Sequence, residues 1–100
     1  MKIIISQQVK IANDKFPHYW KKSYDSIIIP HIGDSIGDPL WKEPYEYEVT
    51  GVTINYNEDE CYVEVEKYTD EIPAERKEKF ADMASLHGWQ SSWKIHKENV

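Results

Sequence analysis

The sequence predicts an α+β domain: a small curled antiparallel β-sheet of about 4–5 strands, one C-terminal helix at about 73–87 packed on it, and a short last strand. Three observations carry this. Residues 45–68, YEYEVTGVTINYNEDECYVEVEKY, alternate apolar and acidic side chains, the period-two pattern of a half-buried hairpin. Residues 73–87 open on Pro73, stop at Gly88, and repeat apolar positions at helical spacing. Short β-branched runs bounded by turn residues precede both.

Met1–Gln8 opens the chain. Its Lys2–Ile5 run, KIII, has no breaker and predicts the first strand. Residues 7–22 scatter Val9, Ile11 and Phe16 ahead of Pro17, which predicts a strand continuation or irregular backbone. Tyr24–Ile29 predicts a buried strand ended by Pro30, because proline cannot donate to a ladder. The next ten residues hold two Gly-Asp pairs and two prolines, the chemistry of a tight loop.

The hairpin carries a phase shift. Tyr45, Tyr47 and Val49 share one parity, and Val52, Ile54 and Tyr56 share the other. A one-residue slip would send half of this set to the wrong face, so a β-bulge is expected at Gly51. Asn57–Glu60 is the expected turn. Cys61, Val63 and Val65 should then point inward, opposite Tyr56, Ile54 and Val52. In the helix, Phe80, Met83, Ala84 and His87 form one stripe, with Arg76, Lys77 and Lys79 toward water. Beyond Gly88, Trp93 and Ile95 alternate with polar residues and predict the last strand.

Size and composition bound the function. The 100 residues are read as a single domain, 1–100, with a small core. An aromatic content of 13% argues against disorder. Cys61 is the sole cysteine, so no intramolecular disulfide is available and no oxidising compartment is needed. The N-terminal apolar run is too short for a signal peptide, and no run approaches a membrane span. A cytoplasmic location is the expectation, host cytoplasm if the protein is viral.

The net charge of −6 is uneven. Residues 34–71 hold twelve acids and two lysines, whereas the flanking segments are net positive. A block of this kind gives the molecule a directed field. Glu46 and Glu48 are expected on the outer face of one strand, Glu64 and Glu66 on its partner, and Glu58, Asp59 and Glu60 at the turn. Tyr62, Trp41 or Trp20 would supply an exposed anchoring ring, since aromatic side chains dominate interface hot spots.

Other chemistry is thin. His31, Asp34 and Asp38 share a loop, but nothing in the sequence completes a dyad or metal set, and Asp34 suits a backbone cap. Cys61 should face the core among acids, which disfavours its thiolate. No Gly-x-Gly-x-x-Gly, P-loop, Gly-x-Ser-x-Gly or His-Glu-x-x-His motif occurs, so no enzyme, cofactor or metal is expected. Tyr19-Trp20-Lys21-Lys22 sets rings beside positive charge, but no basic stripe extends it, which argues against direct nucleic-acid binding.

The expectation is therefore a small acidic non-catalytic interaction protein, an inhibitor or adaptor. It would dock a basic surface of a protein partner such as a nucleic-acid-binding protein, imitating nucleic-acid charge as a DNA mimic does. Its composition has the texture of virus-encoded accessory proteins. The alternative is a module that sequesters a nucleotide-like ligand between Trp20, Trp41, Trp89 and Trp93. A homodimer is expected through a sheet edge at Tyr24–Ile29 or Trp93–Ile95.

Overall fold

A computed structural model describes residues 1–91 of the chain. The expected last strand at Trp93–Ile95, and the dimer edge placed there, lie outside the described residues. Six strands form one open mixed sheet: β1 (Lys2–Val9), β2 (His18–Asp25), β3 (Ser35–Gly37), β4 (Glu46–Asn55), β5 (Glu60–Val65) and β6 (Gln90–Ser91). Their order across the sheet is β3-β4-β5-β1-β2-β6. Among the described residues a single α-helix, α1 (Lys77–Leu86), follows a 3-10 turn at Ala74–Arg76. The α+β class holds.

The sheet is not wholly antiparallel. β1 runs parallel to β5, with Lys2 beside Glu60 and Ser6 beside Glu64, and antiparallel to β2. No short turn joins β1 to β5, so nothing local in the sequence encodes their relative direction. β1 sits in the middle and alternates cleanly: Ile3, Ile5, Gln7 and Val9 are buried on one face.

The second strand is framed differently from the Tyr24–Ile29 expectation. It starts after Pro17 and ends at Asp25. Ile27 and Ile28 lie beyond it and are 95% and 75% exposed. Of the expected edge segment, only Tyr24 and Asp25 lie in a strand, and β6 pairs with β2 only at Trp20 and Lys21. The strand was disguised because its core face reads His18, Trp20, Lys22 and Tyr24, aligned with Val9, Gln7, Ile5 and Ile3. The polar ends of that row find carboxylates: His18 meets Asp14, while Lys22 and Tyr24 meet Asp38.

The hairpin carries its bulge. The β4–β5 register shifts between Val49 and Gly51. Cys61, Val63 and Val65 face the core, opposite Ile54, Val52 and Val49 respectively. The pairing thus slides two residues from the expected Tyr56–Cys61 register, because the turn occupies Tyr56–Asp59 and Tyr56 stays exposed.

The helix docks on the inner face through Phe80, whose ring packs edge-on against Trp20 at 5.8 Å and Tyr68 at 5.4 Å. Ala81 and Ala84 are its buried residues, while Met83 is 44% exposed. The buried stripe is therefore rotated from the expected Phe80–Met83–Ala84–His87 line. Lys77 joins it, half-buried, with Nζ 3.1 Å from Asp14 Oδ2. Pro73 precedes the first turn at φ −58°, and Gly88 leaves the helix at φ +89°, a left-handed conformation that favours glycine.

Candidate functional site: an acidic open sheet face

One face of the sheet carries the core and the helix. Alternation sends the other side chains to the opposite, outer face. On β4, Tyr47 and Val49 are buried while Glu46 and Glu48 are exposed. On β5, Cys61, Val63 and Val65 are buried while Tyr62 and Glu64 are exposed. Glu66 continues that row just past the strand, where its N–H donates to the Glu48 carbonyl at 3.0 Å.

Glu48 and Glu66 therefore stand side by side. Their backbones are further tied by the Glu48 N–H, which donates to Glu66 Oε1 at 2.9 Å. Glu64 sits opposite Gly51, its Oε2 filling the space a Cβ there would meet at 3.4 Å. Among the described residues, none of Glu46, Glu48, Glu64 and Glu66 forms an ion pair. Like charges at strand spacing repel, so this half of the face lowers stability and favours any cation that approaches.

The turn acids divide. Glu58 is exposed, and its N–H is capped by Asn55 Oδ1 at 3.3 Å. Asp59, at φ +55°, lies 3.9 Å from the N-terminal amine, which also has Asp25 at 3.7 Å. Glu60 accepts the Tyr62 hydroxyl at 2.6 Å. That carboxylate holds the Tyr62 hydroxyl pKa above its ordinary value. Tyr62 is 42% exposed on the outer face and can present its ring to a partner. Trp41 and Trp20, the other two candidate anchors, are 2% and 1% exposed and belong to the core.

The outer face changes sign across its width. Beside β5, β1 contributes Lys2, Ile4, Ser6 and Gln8, and β2 contributes Lys21 opposite Ser6 and Tyr19 opposite Gln8. A shallow depression lies between the halves, lined by Ser6, Gln8, Tyr19, Thr50, Glu64 and Glu66.

Among the described residues the tryptophans line no open slot. Trp20, Trp41 and Trp89 are all buried, and Trp41 packs on Trp89 at 5.7 Å and on Tyr47 at 4.8 Å. Trp93 lies outside the described residues. The cleft beside the helix is lined instead by Leu40, Tyr68, Ile72, Arg76, Phe80 and Met83, with a volume of about 390 Å³.

The loop residues serve the backbone. Asp34 Oδ2 accepts the His31 N–H at 2.9 Å. Asp38 is a joint that sequence reasoning missed. Its carboxylate accepts from Lys22 Nζ at 2.7 Å, Tyr24 OH at 2.8 Å, Trp89 Nε1 at 2.9 Å and the Leu40 N–H at 2.9 Å. Burial opposes its charge, but Lys22, Trp89, Leu40 and Tyr24 together outweigh burial and lower its pKa. With four donors in place, its lone pairs are committed to structure. Burial pushes the Cys61 thiol up. Among the described residues, no group of three His, Cys, Asp or Glu could hold a metal ion, and no helix is long and apolar enough to cross a membrane.

Comparison with protein-family models, with curated proteins and with solved structures gives no match.

Proposed function

We propose that the protein is a non-catalytic docking module whose acidic outer face engages a basic surface of a protein partner. One observation carries this reading: Glu46, Glu48, Glu64 and Glu66 share an open sheet face and form no ion pair among the described residues. Such a grid steers a positively charged partner and speeds encounter more than it deepens affinity. Tyr62 supplies an exposed ring at the same surface, and Glu58, Asp59 and Glu60 extend the negative field to the turn. A surface built to bind nucleic acid is the natural complement, since it already presents cations to spaced negative charges. Inhibition follows if the docked surface is the partner's working surface, and adaptor activity follows if it is not.

The test is partner capture from a native lysate by the full chain and by a variant with Glu46, Glu48, Glu64 and Glu66 all changed to Gln. The expected outcome is capture by the parent that weakens with added salt and is lost in the variant. Capture that is equal for both proteins and insensitive to salt removes the acidic face from the function.

A further inference from the structure

We infer that the outer edge of β4 receives an extended segment of the basic partner as a seventh strand. This rests on the docking reading above and adds how the partner is gripped.

Strand backbones alternate in the direction of their peptide groups. Glu48 faces β5, since its carbonyl accepts the Glu66 N–H at 3.0 Å. Val49 faces the other way, donating to the Asp34 carbonyl at 2.7 Å and accepting from the Gly33 N–H at 2.9 Å. The pairing with the β3 side ends there. Gly33, at φ +96°, turns the chain away, and the bulge bends β4 in the same place. Beyond the bulge, Gly51, Thr53 and Asn55 share the parity that faces Glu64, Tyr62 and Glu60. The peptide groups of Val52 and Ile54 therefore point off the sheet. On that side β3 pairs only with Glu46–Glu48, so no strand among the described residues pairs with Val52 or Ile54 there.

The edge thus offers alternating donors and acceptors in the spacing a strand requires. Its side chains select what can pair. On the inner side, Val52 and Ile54 are only half-buried at the rim of the core, and Ile32, 69% exposed, precedes the turn that meets Val49. The free stretch is bracketed by acids: Glu48 and the Val49-paired Asp34 at one end, and the turn residues Glu58 and Asp59 at the other. The matching occupant is an extended segment that alternates β-branched with lysine or arginine side chains. A second copy of this chain fits worse. Antiparallel pairing of Val52 with Ile54 of that copy would bring the acids at one end of the stretch, Glu48 and Asp34, toward Glu58 and Asp59 of that copy, and nearby like charges disfavour the pair.

The experiment uses the full chain and a short synthetic peptide alternating lysine and valine, with a lysine–glycine peptide as control. Amide hydrogen exchange is read residue by residue. The lysine–valine peptide should slow exchange at Val52 and Ile54, and the lysine–glycine peptide should do so less. Ile54→Pro removes an outward donor while leaving the β5 ladder intact. It should weaken the peptide about tenfold, the effect of losing one good hydrogen bond. The exchange measurement needs no variant, so poor folding of Ile54→Pro does not blunt it. Shifts confined to Glu46, Glu48, Glu64 and Glu66, without protection at Val52 and Ile54, overturn strand addition while leaving the docking reading intact. Absence of peptide binding overturns it too. So does a peptide-free dimer that sediments as such and is abolished by Ile54→Pro, because the edge is then taken by a second copy.

Discussion

Lys22 Nζ lies 2.7 Å from Asp38 Oδ2, and the Asp38 side chain is only 1% exposed. This one carboxylate joins β2, the loop before β4 and Trp89, which lies just past the Gly88 helix stop. Asp38→Ala leaves the Lys22 ammonium without its partner and the Trp89 N–H without an acceptor. The expected loss is about 3 kcal/mol, typical of breaking a buried pair from one side. Urea denaturation of parent and variant measures it.

Stability should also fall at both pH extremes through this joint. The Asp38 pKa is lowered in the fold, so its contribution is complete above the ordinary aspartate value of about 3.9 and is lost as pH drops through the lowered one. Lys22 loses to burial but gains more from Asp38 and Tyr24, so its pKa is raised. Its contribution is complete below about 10.4 and is lost as pH climbs through the raised value. Asp14, held down by His18 and Lys77, adds to the acid limb. The stability gap between parent and Asp38→Asn should therefore narrow below about pH 4. Thermal melts across pH test this, and a constant gap would contradict it.

Gln7 is a buried polar bridge. Its Nε2 donates to the Glu66 carbonyl at 3.0 Å, and its Oε1 accepts Trp41 Nε1 at 3.1 Å. Gln7→Leu keeps the shape of the site but strands both partners, at a cost of about 1–3 kcal/mol. Denaturant midpoints will show whether the apolar gain offsets it.

The acidic face should cost stability when nothing is bound. Replacing Glu46, Glu48, Glu64 and Glu66 by Gln keeps the acceptor that serves the Glu48 N–H while removing the repulsion. We expect stabilisation of about 1 kcal/mol at low salt, shrinking toward zero near 1 M salt, where screening acts within about 3 Å. Calorimetry at the two salt concentrations checks both sign and trend.

Two glycines should respond differently to alanine. Gly88 at φ +89° holds the helix stop, and Gly88→Ala should cost about 1 kcal/mol or more. Gly51 is not left-handed, and an added Cβ meets the tip of Glu64 at 3.4 Å and the Glu64 Cβ at an ordinary contact distance of 3.7 Å. Gly51→Ala should change stability by less than about 0.5 kcal/mol, because a flexible carboxylate can move aside.

The bulge and the acidic face were readable because both are written in parity. The switch from Tyr47 and Val49 to Val52 and Ile54 has no other economical cause, and the glutamates follow from the same count. β2 was harder. Lys22 and Tyr24 face inward only because Asp38, distant in sequence, waits there, so a core row looked like a surface row. Ile27–Ile29 has the stronger strand composition but pairs with no strand among the described residues. The parallel partnership of β1 and β5 left no mark, since no turn connects them.

That partnership has a consequence during synthesis. Lys2–Val9 leaves the ribosome well before the stretch that seals its second flank, Glu60–Glu64, with three strands translated between them. Until then Ile3 and Ile5 can shelter only in the β1–β2 ribbon. Cooperative folding must wait for a long-range closure, and a nascent chain stalled before Glu60 would be a natural client for chaperones.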